Sequence, residues 1–287
     1  MKFMVSLKDY EGGETAWCPG CGNFGILQAV KKALVKLELE PYQVLLVSGI
    51  GQAAKLPHYL KCNLFNGLHG RTLPVATGAK IANPRLTVIA DGGDGDGYGE
   101  GGNHLIHAIR RNVDITYLVH DNQIYGLTKG QASPTSEEGF VTKITPLGMF
   151  SRQLNPMALA ISLGASFVGR GFSGDIEHLS DLIVQAVENR GFSLVDILQP
   201  CVTFNRVNTF QWYRSRVYKL DSSHEPKDWL AASQKAHEWG DKIPIGVIYR
   251  EARPTYEDHN PRVVQKPLVD QQHDPTSFEK ILDEFKV

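Results

Sequence analysis

Two spacings of apolar residues alternate along this chain. Short runs rich in β-branched residues, Val44 to Ser48, Leu86 to Ala90, Ile115 to Val119, Ser166 to Val168, Ser193 to Leu198 and Ile245 to Tyr249, read as buried strands. Between them come stretches with helical spacing: Phe24 to Leu37, a helix of small residues ending near Asn83-Pro84, a short amphipathic helix between the second and third strands, Pro156 to Gly164, and Asp175 to Asn189. In the last of these Ile176, Leu179, Leu182, Ile183, Ala186 and Val187 fall at helical spacing, as packing on a core requires. Strands separated by helices predict parallel pairing with crossovers, hence an α/β fold with a doubly wound, mostly parallel sheet. One domain accounts for residues 1–210. Residues 211–287 turn polar and Trp-bearing apart from the final strand-like run, and Glu251 to Gln272 is rich in Pro, Asp and Gln. This part is expected as an extension packed on the domain or on a partner subunit.

The polar positions that interrupt the pattern gather just after strands. Gly93-Asp94-Gly95 follows the second strand, and Asn122, preceded by Asp121, follows the third, 27 positions after Gly95. Ligands of open α/β sheets bind at the carboxyl ends of strands, so Asp94 and Asn122 are placed to hold one cation from two sides. Hard oxygen donors suit Mg²⁺, which keeps few protein ligands and completes its octahedron with phosphate oxygens and water; this implies a bound diphosphate. Glycine beside the carboxylate lets backbone approach the phosphates. Gly-Asp-Gly followed by Asn at this distance resembles the thiamine-diphosphate (ThDP) motif. The tripeptide alone fits equally a glycine-rich turn of no chemical consequence. A dinucleotide fingerprint is disfavoured, because it would follow the first strand of its domain and carry no paired Asn. Small residues also follow the first strand, from Gly49 to Lys55, and suggest a second ligand edge. His69, in the stretch Leu68 to Gly78, would by itself be an ordinary structural or surface histidine.

Charge and cysteine usage narrow the class. With 287 residues, 42% of them hydrophobic and 21% charged, the chain can bury a large core, and a formal net charge of −1 leaves no basic footprint for nucleic acid. No apolar run reaches membrane length and the segment MKFMVSLKDYEGGE has no signal-peptide core, so a cytoplasmic location is expected. There, four cysteines are ligands or buried thiols sooner than disulfides. Cys18 and Cys21 form a Cys-x-x-Cys turn entering a helix, whereas Cys62 and Cys201 are isolated. A zinc ribbon needs a second such pair. Four thiolates gathered from one pair and two single cysteines are compatible with an iron-sulfur cluster. A thioredoxin-like dithiol and unrelated structural thiols are the competing readings.

Six segments follow one another: WCPGCGN at 17–23, SGIGQAAK at 48–55, HGRTLPVATGAKIANP at 69–84, GGDGD at 92–96, HDNQIYGLTKGQASPT at 120–135 and QPCVTFN at 199–205. Together, over about residues 15–210, they resemble the β subunit of 2-oxoacid:ferredoxin oxidoreductases. The resemblance implies a fold of the ThDP diphosphate-binding type with ThDP, Mg²⁺ and a 4Fe-4S cluster. It implies an α subunit that supplies the pyrimidine-binding domain and its Glu, in an αβ or (αβ)₂ assembly. The implied reaction is oxidative decarboxylation of a 2-oxoacid, with electrons leaving through the cluster to ferredoxin and the acyl group taken by coenzyme A. Asp94, Asn122 and the Ile124 carbonyl would hold Mg²⁺. Ile50, Gly51, Gln52, Ala53, His69, Gly93, Gly95, Asp96, Tyr125, Gly126, Leu127 and Thr128 complete the expected cofactor-binding set.

One position departs from the family. Many members read Gly-Ile-Gly-Cys where this chain has Gly49-Ile50-Gly51-Gln52. With that cysteine absent, the cluster is expected on Cys18, Cys21, Cys62 and Cys201, Cys62 being a relocated third ligand; a three-cysteine cluster with an open iron is the alternative. Lys129 lies on the stretch that in the family runs toward the reacting carbon. An ammonium buried beside an apolar substrate side chain costs several kcal/mol unless an anion compensates it, so Lys129 favours 2-oxoglutarate, with Lys55 or a partner residue on the other carboxylate. His69, Lys129 and Lys55 are therefore the candidate catalytic residues. A merely solvated Lys129, pyruvate as substrate, and a non-oxidative ThDP decarboxylase or carboligase are the alternatives.

Overall fold

Side chains of successive strand residues point to opposite faces of a sheet, and the central strands here are apolar on both. Val44 and Leu46 join one core cluster, while Leu45 and Val47 pack against the other. Helices must therefore cover both faces. The structure, a computed structural model, describes residues 5–272 and 275–286. In chain order its elements are α1 (Asn23–Lys36), β1 (Val44–Ser48), β2 (Asn63–Asn66), α2 (Thr72–Ala82), β3 (Thr87–Gly93), α3 (Gly102–Arg111), β4 (Thr116–Asp121), β5 (Ile124–Tyr125), β6 (Gln131–Ala132), α4 (Pro156–Ser162), β7 (Phe167–Phe172), α5 (Ile176–Glu188), β8 (Ser193–Leu198), α6 (Phe210–Arg214), β9 (Val217–Lys219), α7 (Trp229–His237), β10 (Ile243–Arg250), α8 (Pro261–Gln265) and α9 (Pro275–Glu284).

Eight strands form one sheet in the order β2-β1-β3-β4-β8-β7-β10-β9. Every neighbouring pair is parallel except β7 with β10. On one face α1 and α5 pack Ile26, Val30, Ala33, Leu34, Leu179, Leu182, Ile183 and Ala186 against Leu46, Ile89, Leu118 and Val195. The other face is covered by α2, α3, α4 and α7, whose Leu73, Ala76, Leu105, Ile109, Met157, Ile161, Ala232 and Ala236 meet Val47, Val88, Val119 and Leu194. The doubly wound, mostly parallel sheet is thus the one the alternation of strands and helices predicts. Among the described residues no helix is long and apolar enough to cross a membrane.

Three differences from the sequence reading bear on the site. Residues beyond 210 do not simply lie on a finished domain, because β9 and β10 extend the same sheet and α7 supplies core side chains. No pattern in the sequence predicts β2: Asn63-Leu64-Phe65-Asn66 is exposed along its whole length and carries no alternation. The Pro-rich stretch after Glu251 runs back over the chain's own surface, where Tyr256 N–H donates to the Asn112 carbonyl at 3.2 Å and Asp270 pairs with Arg85 at 2.7 Å. What positions the chemistry is the row β1, β3, β4 and β8. These four are consecutive and parallel, so the loops that follow them emerge along one edge.

Candidate active site

The loops after β1, β3 and β4 close on a cavity of about 80 Å³. Its wall comprises Ile50, Gly51, Gln52, Ala53, His69, Gly93, Asp94, Gly95, Asp96, Asn122, Ile124, Tyr125, Gly126, Leu127 and Thr128. The structure therefore brings the expected cofactor residues and Mg²⁺ ligands into one place. β3 runs into a π-helical turn, Gly95–Glu100, of the kind that interrupts regular helix at functional sites. Its glycines, expected to let backbone approach phosphate, also make room for two aromatic rings. A Cβ on Gly95 would lie 2.3 Å from the Tyr125 ring, and one on Gly97 2.0 Å from the Tyr117 hydroxyl, so the two rings take the space.

Two buried carboxylates organise this cavity. Asp96 accepts from Ile50 N–H at 3.0 Å, Gly70 N–H at 2.8 Å and the Thr72 hydroxyl at 3.2 Å, and its Oδ1 lies 2.7 Å from His69 Nδ1. An oxygen already accepting two backbone N–H groups assigns the His69 proton to Nδ1, which leaves Nε2 facing Glu100 at 3.6 Å. One side chain thus ties the β1 loop, the His69 loop and the first turn of α2 together. Asp94 Oδ2 accepts from the hydroxyls of Ser133 and Thr135, and Thr135 Oγ1 is also 2.7 Å from Asp121 Oδ1. Burial raises the Asp94 carboxyl above its ordinary range, opposed by those two hydroxyls. Burial also raises Asp121 well above its ordinary range, and the neighbouring Asp196 and Asp94 carboxylates add to it.

A second cavity of about 60 Å³ lies against the first, and Gln52, Asn122 and Gly126 line both. Cys18, Cys21 and Cys201 line it too. The Cys-x-x-Cys turn is closed by Cys21 N–H donating to the Cys18 carbonyl at 3.0 Å, and Gly22 N–H fastens it to the Pro200 carbonyl at 3.2 Å. Burial raises the Cys21 thiol to about 11, with Cys201 and Cys18 contributing. Gln199 Nε2 donates to Cys21 Sγ at 3.5 Å. Two buried polar atoms on this wall, Asn23 Nδ2 and Gln199 Oε1, have no hydrogen-bond partner. Among the described residues no three His, Cys, Asp or Glu side chains converge on a single ion.

Cys62 does not join them, contrary to expectation. It immediately precedes Asn63, which is paired with Leu45 at the amino-terminal end of β1, whereas Gln52 and Cys201 follow carboxyl ends. At about 3.3 Å per residue the length of β1 separates the two levels by roughly 13 Å. There Cys62 packs against the core, donates to the Asn63 carbonyl at 3.2 Å, and is raised by burial to about 12. The residue that takes the place expected of a third cysteine is Gln52 itself, held by its carbonyl accepting from Trp17 Nε1 at 2.8 Å.

The lysines also separate. Lys55 is half-buried in the 3₁₀ segment Ala53–Tyr59 and lines neither cavity. Lys129 is exposed on the turn between β5 and β6, with φ of 75°. It faces an open recess of about 730 Å³, shared with Lys143, Arg206, Val141, Ile144 and Phe204, that joins the first cavity at Ile124 and Thr128. Sequence reasoning missed Ser133, Thr135, Asn23 and Gln199 as site residues. Ser133 and Thr135 stand in the GQASPT segment downstream of Asn122, so the signal was the recurrence of hydroxyls there.

Residues 47–197 match the family described as thiamine pyrophosphate enzyme, C-terminal TPP binding domain, and residues 201–265 match the C-terminal family of the pyruvate ferredoxin oxidoreductase beta chain. The chain is 46% identical over 281 residues to the 2-oxoacid:ferredoxin oxidoreductase subunit beta of Saccharolobus solfataricus, across 92% of this chain and 91% of that one. It belongs to the 2-oxoacid:ferredoxin oxidoreductase β-subunit family. This β subunit is also 46% identical over 192 residues to the 2-oxoglutarate oxidoreductase subunit KorB of Mycobacterium tuberculosis, across 67% of this chain and 52% of that protein. A solved structure of 2-oxoglutarate:ferredoxin oxidoreductase from Magnetococcus marinus, with 2-oxoglutarate, coenzyme A and succinyl-CoA bound, resembles it with a TM-score of 0.89 and 38% identity, covering 97% of this chain and 96% of that one. The β subunit is accordingly part of an oxidoreductase and has the fold of a ThDP enzyme.

Proposed function

We propose that this β subunit holds ThDP through Mg²⁺ and works with an α subunit to decarboxylate 2-oxoglutarate oxidatively, yielding succinyl-CoA and CO₂ and passing electrons through an iron-sulfur cluster to ferredoxin. The observation that carries this reading is the shared wall between the two cavities. Gln52, Asn122 and Gly126 separate a cavity walled by the diphosphate motif from one walled by three thiols, so an organic electron source and an iron-sulfur centre would be neighbours. A non-oxidative ThDP enzyme has no use for the second cavity.

The residues fit both groups. Asp94, the Asn122 side chain and the Ile124 carbonyl would hold Mg²⁺, and the backbone from Tyr125 to Thr128 would face the diphosphate. His69, oriented by Asp96, would present Nε2 to the reacting end. ThDP, when bound, supplies the nucleophilic carbon and the electron sink for decarboxylation. In the thiol cavity Asn23 Nδ2 is an unpartnered donor, which suits a ligand with acceptor sulfurs. The recess bearing Lys129, Lys143 and Arg206 provides cations for a second carboxylate, supporting 2-oxoglutarate over pyruvate. The related enzyme from Magnetococcus marinus has 2-oxoglutarate and coenzyme A bound.

An α subunit would supply the aminopyrimidine half of the site. Supporting it, the segment 141–150, which lines the recess at Val141 and Ile144, also exposes Leu147 and Phe150, both more than 80% accessible. Apolar side chains gathered like this mark a surface that a partner covers. The complex is expected in the cytoplasm. The reading is tested by adding substrate without acceptor to the anaerobic ThDP-loaded complex. 2-Oxoglutarate should bleach the cluster's visible band, and pyruvate should do so far less. A ThDP-loaded complex that releases CO₂ without any bleaching would be a non-oxidative enzyme.

A further inference from the structure

We propose that this chain holds its iron-sulfur cluster by three thiolates only, with the Gln52 amide at the fourth corner, so that one iron is exchangeable and lies on the side of the ThDP cavity. The inference rests on the cluster reading above and deepens it. Cys18, Cys21 and Cys201 share one cavity wall with Gln52. Cys62, the remaining cysteine, sits at the opposite end of β1 against the core and is held there by the pairing of Asn63 with Leu45. Bringing it to the cavity would require breaking β2 from the sheet. No backbone adjustment of the Gln52 loop produces a fourth thiolate either.

The backbone of Gln52 is held in place. Its carbonyl accepts from Trp17 Nε1 at 2.8 Å, and Trp17 is itself packed edge-on against Phe24 and Tyr59. Its side chain reaches toward Gly126, where a Cβ would lie 4.0 Å from Gln52 Cγ. Since Gln52 lines both cavities, the corner it occupies is the one facing the diphosphate loop. A neutral amide is a hard, weak donor to iron, whereas the other three corners have soft thiolates. The iron at the amide corner is therefore the one lost first. One-electron oxidation by ferricyanide would release it as a ferrous ion and leave a three-iron cluster. Supplying a ferrous ion and one electron would reverse the step.

The test uses the full chain co-purified anaerobically with its α subunit. Ferricyanide should elicit the EPR signal of an oxidised three-iron cluster and release one ferrous ion per chain, and isotopically labelled ferrous iron added with dithionite should enter a single site and abolish the signal. Gln52→Cys should retain that iron and give no three-iron signal. Cys62→Ser should behave as the unaltered chain, which separates a relocated ligand from an absent one. Full iron retention with no three-iron signal in the unaltered chain, or loss of the cluster in Cys62→Ser, would overturn the inference while leaving the cluster reading intact. A preparation with ThDP but no iron chromophore would overturn both. Should Gln52→Cys fail to fold, label entry into one site or into all sites of the unaltered cluster decides the question.

Discussion

Thr135 Oγ1 lies 2.7 Å from carboxylate oxygens of both Asp94 and Asp121, and a hydroxyl has one proton to donate. Asp94 already receives Ser133, and burial with two neighbouring carboxylates raises Asp121 well above its ordinary range. The pair therefore needs one proton between the two carboxylates, and Asp121, crowded by the Asp196 and Asp94 carboxylates, is the better placed to hold it, with Thr135 donating to Asp94. Two substitutions of the same kind should then differ. Asp94→Asn removes a carboxylate from the wall of the diphosphate-motif cavity and should weaken ThDP retention at least tenfold, about 1.4 kcal/mol or more. Asp121→Asn keeps a donor toward Thr135 and should change ThDP affinity less than threefold. Titration of ThDP into each apo complex measures both, and equal losses would show that Asp121 carries the negative charge. Lys129 is tested by kinetics. Lys129→Ala should raise KM for 2-oxoglutarate about tenfold while activity on 2-oxobutyrate holds, because only the former has a second carboxylate to lose. Parallel losses on the two substrates would assign Lys129 to the loop.

Among the elements, β1 and β8 were legible to the residue because each is a short, mostly apolar run with apolar residues on both faces. β2 was not, since an exposed edge strand has no alternation to read, and its register decided where Cys62 went. That is why the Gly-Asp-Gly and Asn motif led directly to a cavity while the cysteine count led partly astray. Motif residues sit a fixed few positions beyond a strand end, but an isolated cysteine takes its place from a pairing that no spacing encodes. The contacts of Ser133 and Thr135 with Asp94 span 39 and 41 residues, beyond the reach of any local pattern. The π-helical turn makes a prediction at this scale. Gly97→Ala would drive a Cβ to 2.0 Å from the Tyr117 hydroxyl, and overpacking of a buried site costs about 1–3 kcal/mol. The melting temperature should fall by roughly 2–10 °C. Gly97→Ala with Tyr117→Phe should recover most of that loss, because the offending atom is removed. If the double variant were no better than the single, the glycine would be needed for backbone conformation and not for space.

For the whole molecule, the mostly parallel sheet gathers its ligand loops along one edge and leaves the recess beside them open. The exposed apolar segment from Val141 to Phe150 borders the open side. Replacing Leu147 and Phe150 by Asp should abolish co-purification with the α subunit while leaving the isolated chain's melting temperature within about 2 °C, since both side chains are already in solvent. Retention of the α subunit by that variant would move the interface elsewhere. A division of labour is expected: this chain binds the diphosphate and its partner completes the chemistry. It is tested most directly by measuring CO₂ release from 2-oxoglutarate with ThDP, Mg²⁺, coenzyme A and ferredoxin, using the purified chain alone and after adding the purified α subunit. No release above background is expected from the chain alone, and turnover should titrate to one α per chain. Release by the chain alone would contradict it.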